Sequence, residues 1–101
     1  MKTPERKRFK DRQAEKLANG EISLKYQKIK QVGYKKLKIL LKANSLMDLA
    51  LIPRNMLEKI GSEHSIRIND QYRLCFKWDK ERQQAYDIYI NPHDKSYGKQ
   101  K

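Results

Sequence analysis

Cysteine is nearly absent: Cys75 stands alone among 101 residues, so no internal disulfide can form, and no Cys/His spacing resembles a zinc site. A secreted disulfide scaffold and a structural metal are therefore not expected, and a reducing cytoplasm is. Long apolar runs are also missing. Nothing approaches the roughly 20 residues of a membrane span, and the charged N-terminus is followed by no signal-like apolar region. Acidic residues are scarce, with 12 Asp and Glu against 24 Lys and Arg for a formal charge of +12. Internal repeats and a second domain are lacking as well, which leaves one small domain near the lower size limit for folding without staples.

The positive charge is unevenly spread. Residues 1–43 carry 14 Lys/Arg and 4 Asp/Glu, residues 44–91 carry 7 of each, and residues 92–101 carry 3 and 1. An excess of this kind suits a polyanionic partner, because each neutralised phosphate releases counterions. The plainer reading is a solvated lysine-rich helix face.

The stretch His64 to Trp78, HSIRINDQYRLCFKW, carries the clearest alternation. Ile66 and Ile68 point one way and Ser65, Arg67 and Asn69 the other. Asn69-Asp70 supplies turn chemistry, and Tyr72, Leu74, Phe76 and Trp78 resume the apolar face. This predicts a hairpin in which Arg73, Cys75 and Lys77 face away from the aromatic row.

Elsewhere the elements follow from local chemistry. Residues 1–10 are open to two readings, a basic arm or a short edge strand ending at Phe9. Asp11 to Ala18 predicts a short helix stopped by Asn19-Gly20. From about Leu24 to Ala43, Ile29, Val32, Leu37 and Leu40 recur at helical spacing, with Ser23 as the expected cap. Gly33 in that stripe permits close approach of another element, and Lys36 in the same stripe must snorkel. Ser45 to Asp48 has the spacing of a capped helical turn. Beyond Pro53, Asn55 to Ile60 predicts a strand, and Gly61-Ser62 turns the chain into the hairpin. Gln84 to Ile90 predicts the last strand, with Tyr86, Ile88 and Ile90 on one face and Ala85, Asp87 and Tyr89 on the other. The order predicts an α+β domain, an N-terminal helical hairpin packed on a small twisted antiparallel sheet. Its extent is residues 1–93, with 94–101 a flexible basic tail.

SIRINDQYRLCFKW closely resembles the active-surface segment of HigB-type toxins, the "killer" branch of the RelE superfamily. Phe9-Lys10, the helical hairpin, Ala43 to Leu49 and Ile52 to Asn55 occur there in similar order. The resemblance implies the toxin of a toxin–antitoxin pair, a metal-independent endoribonuclease that cleaves ribosome-bound mRNA, inhibits translation and uses no cofactor. It also implies a cognate HigA-like, helix-turn-helix antitoxin as partner. By this resemblance the family's central arginine falls on Arg73, its terminal histidine on His93 and its loop lysine on Lys59. Two departures are visible. The loop before the hairpin is shortened, and Asn91-Pro92-His93 stands where the family has Asp-Tyr-His.

Metal-free RNA cleavage requires a base for the 2′-OH proton, positive charge beside the phosphorane-like transition state, and help for the departing 5′-oxygen. Arg73 offers a permanently protonated planar fork to two phosphate oxygens, or else is a solvated strand residue paired with Asp87. His93 can exchange protons near neutrality, or is simply exposed. Lys59 and Arg67 are expected on the same side as Arg73, where they bind phosphate or keep the face soluble. Tyr89 stacks on a base or packs across strands, and Lys77 and Asn91 complete the expected RNA surface. Lys28 and Lys35, on the basic helix, are expected to hold ribosomal RNA through phosphate contacts. Two further readings compete: a non-catalytic RNA- or ribosome-binding protein of the same fold, and a DNA-binding module using Leu24 to Ala43 as recognition helix.

Overall fold

The computed structural model describes residues 7–92. Three α-helices, α1 (Arg12–Ala18), α2 (Lys30–Lys42) and α3 (Leu46–Ala50), precede four strands, β1 (Glu58–Ile60), β2 (Glu63–Arg67), β3 (Tyr72–Asp79) and β4 (Gln84–Pro92). The strands form one antiparallel sheet in the order β1-β2-β3-β4. This is the expected α+β arrangement, with the helices on a single face of the sheet.

That face is apolar because the period-2 alternation places Ile66, Leu74, Phe76 and Ile88 toward the helices, where all four are fully buried with Leu37, Leu40 and Leu49. Each side chain of this size contributes about 1.5–3 kcal/mol on burial. Helices α1 and α2 approach so closely that a Cβ at Gly33 would lie 2.9 Å from Leu17 Cδ2, which is why the stripe contains a glycine. Asp11 caps α1 by accepting from the Gln13 and Ala14 amides. It also accepts from the Tyr26 hydroxyl at 2.6 Å and the Ile90 amide, joining the helical layer to β4. Burial and this bond push the Tyr26 phenol well above its usual range.

Four local expectations are corrected. Helix α2 starts at Lys30, after a 3-10 turn over Gln27–Ile29, and not near Leu24. Ser23 caps nothing with its side chain; its hydroxyl is buried and donates to Gln13. Leu24, next to it, is exposed. The strand expected from Asn55 shrinks to Glu58–Ile60, since Pro53–Asn55 form a 3-10 turn and Met56 adopts a left-handed φ of 47°.

The third correction lies in β4. Cys75 faces Tyr89 while Lys77 faces Tyr86, so two β4 residues oppose Phe76 and Asp87 takes a φ of 51°. This β-bulge inverts the alternation upstream of it. Ala85, expected outside, is fully buried, and Tyr86 turns out beside Lys77. Fourth, Asp87 lies 4.0 Å from Lys77 and is not the partner of Arg73, which faces Asn91.

Of the two readings for the N-terminus, pairing holds where it is described. Lys7 to Lys10 lie along β4, with a parallel bridge between Phe9 and Ile88 and backbone bonds from Asp87 to Lys7 and from Lys10 to Ile88. The remaining N-terminal residues and the 94–101 tail fall outside the described residues.

Candidate functional site

The sheet face turned away from the helices is built in rows across the strands. Arg67, Arg73 and Asn91 face one another across β2, β3 and β4, and Glu58, Ser65, Cys75 and Tyr89 form the next row across all four strands. Like charges directly opposite in a sheet repel, so the Arg67/Arg73 pair carries a cost. Asp70 offsets part of it by pairing with Arg67.

Arg73 is held from three directions. Its Nε donates to Ser65 Oγ at 2.8 Å, and its Nη2 donates to the Met56 carbonyl at 2.7 Å and the Ser65 carbonyl at 3.3 Å. Its side chain is only 12% exposed, with Glu58 Oε1 3.8 Å from Nη2. Nη1 has no acceptor among the described residues. The left-handed turn at Met56 aims that carbonyl at β3, and Ser65 reaches Arg73 because both occupy the same face one row apart. A guanidinium fixed in this way needs no reorganisation to meet an anion.

Glu58 is a site residue that the sequence pattern missed. It faces Ser65 across the β1–β2 pair, so it shares the face of Arg73. The other carboxylates of this face are engaged: Glu63 accepts from the Tyr89 hydroxyl at 2.8 Å, Asp70 pairs with Arg67 and Asp87 with Lys77. Glu58 has no hydrogen-bond donor among the described residues. Lys10 is a second missed residue. Its Nζ lies 4.6 Å from the Tyr89 ring centroid, a cation–π contact created by the docking of Lys7 to Lys10 on β4.

Lys59 does not join Arg73. It faces His64, which faces Phe76, and so projects to the other side of the sheet. The β1–β2 register, with Ile60 opposite Glu63, gives Glu58 the place expected for the lysine. His64 stacks on Phe76 at 5.9 Å. Burial, with Lys59 as the lesser cause, lowers its pKa. Cys75 lies on the opposite face, where burial pushes its thiol up, so no Cys–His pair forms among the described residues.

Lys77, Tyr89 and Asn91 are on the expected face. Burial, aided by the bond to Glu63, raises the Tyr89 phenol. Lys28 and Lys35 are exposed on the helical layer, across the sheet from Arg73. His93 lies outside the described residues.

A helix-backed antiparallel sheet whose open face centres on a clamped arginine defines the class as an α+β protein with an arginine-centred sheet surface. The model of the RelE-like toxin of type II toxin–antitoxin system HigB matches residues 7–93, and the chain belongs to that family of toxins. Membership brings with it a cognate antitoxin as partner. No curated protein matches the chain. Among the described residues no helix is long and apolar enough to cross a membrane.

Proposed function

We propose that this chain is a ribosome-dependent endoribonuclease that cleaves mRNA, inhibits translation and is neutralised in the cytoplasm by a HigA-like helix-turn-helix antitoxin. The observation that carries this reading is Arg73, clamped by Ser65 and Met56 with Nη1 unoccupied by any described residue. In the reaction the 2′-oxygen attacks the adjacent phosphorus, the bond to the 5′-oxygen breaks, and a 2′,3′-cyclic phosphate and a 5′-hydroxyl result. Arg73 stabilises the charge that develops on the phosphoryl oxygens, a contribution of about 10²- to 10³-fold for a positioned donor.

Glu58 is the described carboxylate nearest that guanidinium and takes the 2′ proton. His93, which follows β4 directly in sequence, gives a proton to the departing 5′-oxygen. Arg67, Lys77, Tyr89 and Asn91 line the RNA path on the same face. Lys28 and Lys35, on the other side of the molecule, hold ribosomal RNA.

Inducing the wild type and Arg73→Ala without antitoxin and mapping new mRNA 5′ ends tests this reading. New ends with wild type and a loss of about 10²-fold or more with the variant are expected. Wild type that leaves growth and 5′ ends unchanged would sink it.

A second reading, an RNA- or ribosome-binding relative that does not cleave, is favoured by the three hydrogen bonds already made by Arg73 and by Asn91 where the family has an acid. Ribosome binding without new ends would select it. Use of α2 as a DNA-recognition helix is disfavoured, because Leu37 and Leu40 are fully buried against the sheet.

A further inference from the structure

We propose that Lys36, Arg54 and Arg67 form a second phosphate position beside Arg73, which takes the phosphodiester next to the scissile one. The choice of RNA as ligand rests on the proposed function. The position itself rests on a chain of contacts linking four cations from four different elements.

Lys36 belongs to the apolar stripe of α2, yet its Nζ emerges to donate to Asn55 Oδ1 at 2.5 Å. Asn55 is fully buried, and its Nδ2 is anchored on the Leu49 carbonyl at 3.0 Å. The ammonium is therefore held at the 3-10 turn. On one side of Asn55 in sequence is Arg54, exposed and without an ion pair among the described residues. On the other is Met56, whose carbonyl accepts from Arg73. Arg73 in turn faces Arg67 across the β2–β3 pair. Lys36, Arg54, Arg67 and Arg73 are thus linked through the Arg54–Met56 segment and the β2–β3 pair at one end of the sheet.

The compensation for these charges is incomplete. Asp70, 86% exposed, pairs with Arg67, and Glu58 lies 3.8 Å from Arg73. Among the described residues Lys36 has only the neutral Asn55 as acceptor, although an ammonium carries three donors. Burial lowers the Lys36 pKa, with Arg67 and Arg54 adding to the shift. An anion entering between them relieves the repulsion and supplies the missing acceptors. A phosphodiester does this best because arginine's fork can bind two of its oxygens. Its place next to Arg73 makes it the neighbour of the phosphate that Arg73 holds.

The test is the salt dependence of binding of the full chain to a short single-stranded 2′-O-methyl RNA, which cannot be cleaved. For single strands each phosphate contact contributes about 0.7 to the slope of log K against log salt. Arg54→Gln and Lys36→Gln, the latter retaining an amide donor for Asn55, are each expected to weaken binding and make the slope shallower by up to about 0.7. The double variant loses no more than about one contact, since both residues serve one phosphate. Lys59→Gln, on the opposite side of the sheet, keeps the wild-type slope.

Unchanged slopes in both site variants overturn the proposal, as does wild type that fails to bind the oligonucleotide at low salt. If Lys36→Gln does not fold, the exposed Arg54→Gln decides. Wild type that cleaves mRNA while the slopes stay unchanged removes the second position and leaves the proposed function standing. Altered slopes without cleavage do the reverse.

Discussion

Arg73 Nε donates to the Ser65 hydroxyl at 2.8 Å, and Ser65 is only 1% exposed. One buried hydroxyl therefore fixes the orientation of the side chain on which the proposed chemistry depends. Ser65→Ala leaves Nε without its acceptor, at a cost of about 1–3 kcal/mol. Urea denaturation is expected to report that loss, and cleavage to fall further than binding because the guanidinium is no longer held. Cleavage equal to wild type would show that the Met56 and Ser65 carbonyls suffice.

Asp87 supplies the positive φ that creates the β4 bulge, and its ion pair with Lys77 is long at 4.0 Å. A β-branched residue tolerates that backbone poorly. Asp87→Val is expected to lower stability by about 1–2 kcal/mol, mostly through the left-handed conformation. Asp87→Gly, which accepts positive φ freely, is expected to match or exceed wild type. Thermal or urea denaturation of the two variants side by side checks the order.

Lys59 projects away from Arg73 and is exposed. Lys59→Ala is therefore expected to retain cleavage within about twofold of wild type, the scale of an ordinary surface change. Glu58→Gln, which keeps the shape but removes the proton acceptor, is expected to lose about 10²- to 10⁴-fold in turnover. A large loss with Lys59→Ala and none with Glu58→Gln would reverse the two assignments.

His64 predicts a pH effect on stability. Burial against Phe76 lowers its pKa in the fold, while the unfolded chain protonates near the reference value of about 6.5. As pH falls through that value the unfolded state takes up the proton first, so stability decreases until the folded histidine also protonates. Above about pH 6.5 the full contribution is present. Denaturation midpoints between pH 7.5 and pH 5 are expected to fall for wild type and less for His64→Phe; parallel curves would remove His64 as the cause.

The amino-acid sequence by itself determined the element order, the α+β class, the β2–β3 hairpin and the side on which Arg73 projects. Those features are local: a period-2 alternation from Ile66 to Trp78 assigns faces within one hairpin, and Asn69 closes its turn by accepting from the Gln71 and Tyr72 amides. Tertiary structure alone decided what surrounds Arg73. The β1–β2 register brought Glu58 in and left Lys59 out, and the left-handed residue at Asp87 changed the faces around it, moving Ala85 into the core and Tyr86 out of it. The placement of Lys10 over Tyr89 and of Lys36 at Asn55 depends on residues 79 and 19 positions apart meeting in space. Alternation carries no information about such meetings, because it describes each strand or helix against its own axis and not against its neighbours.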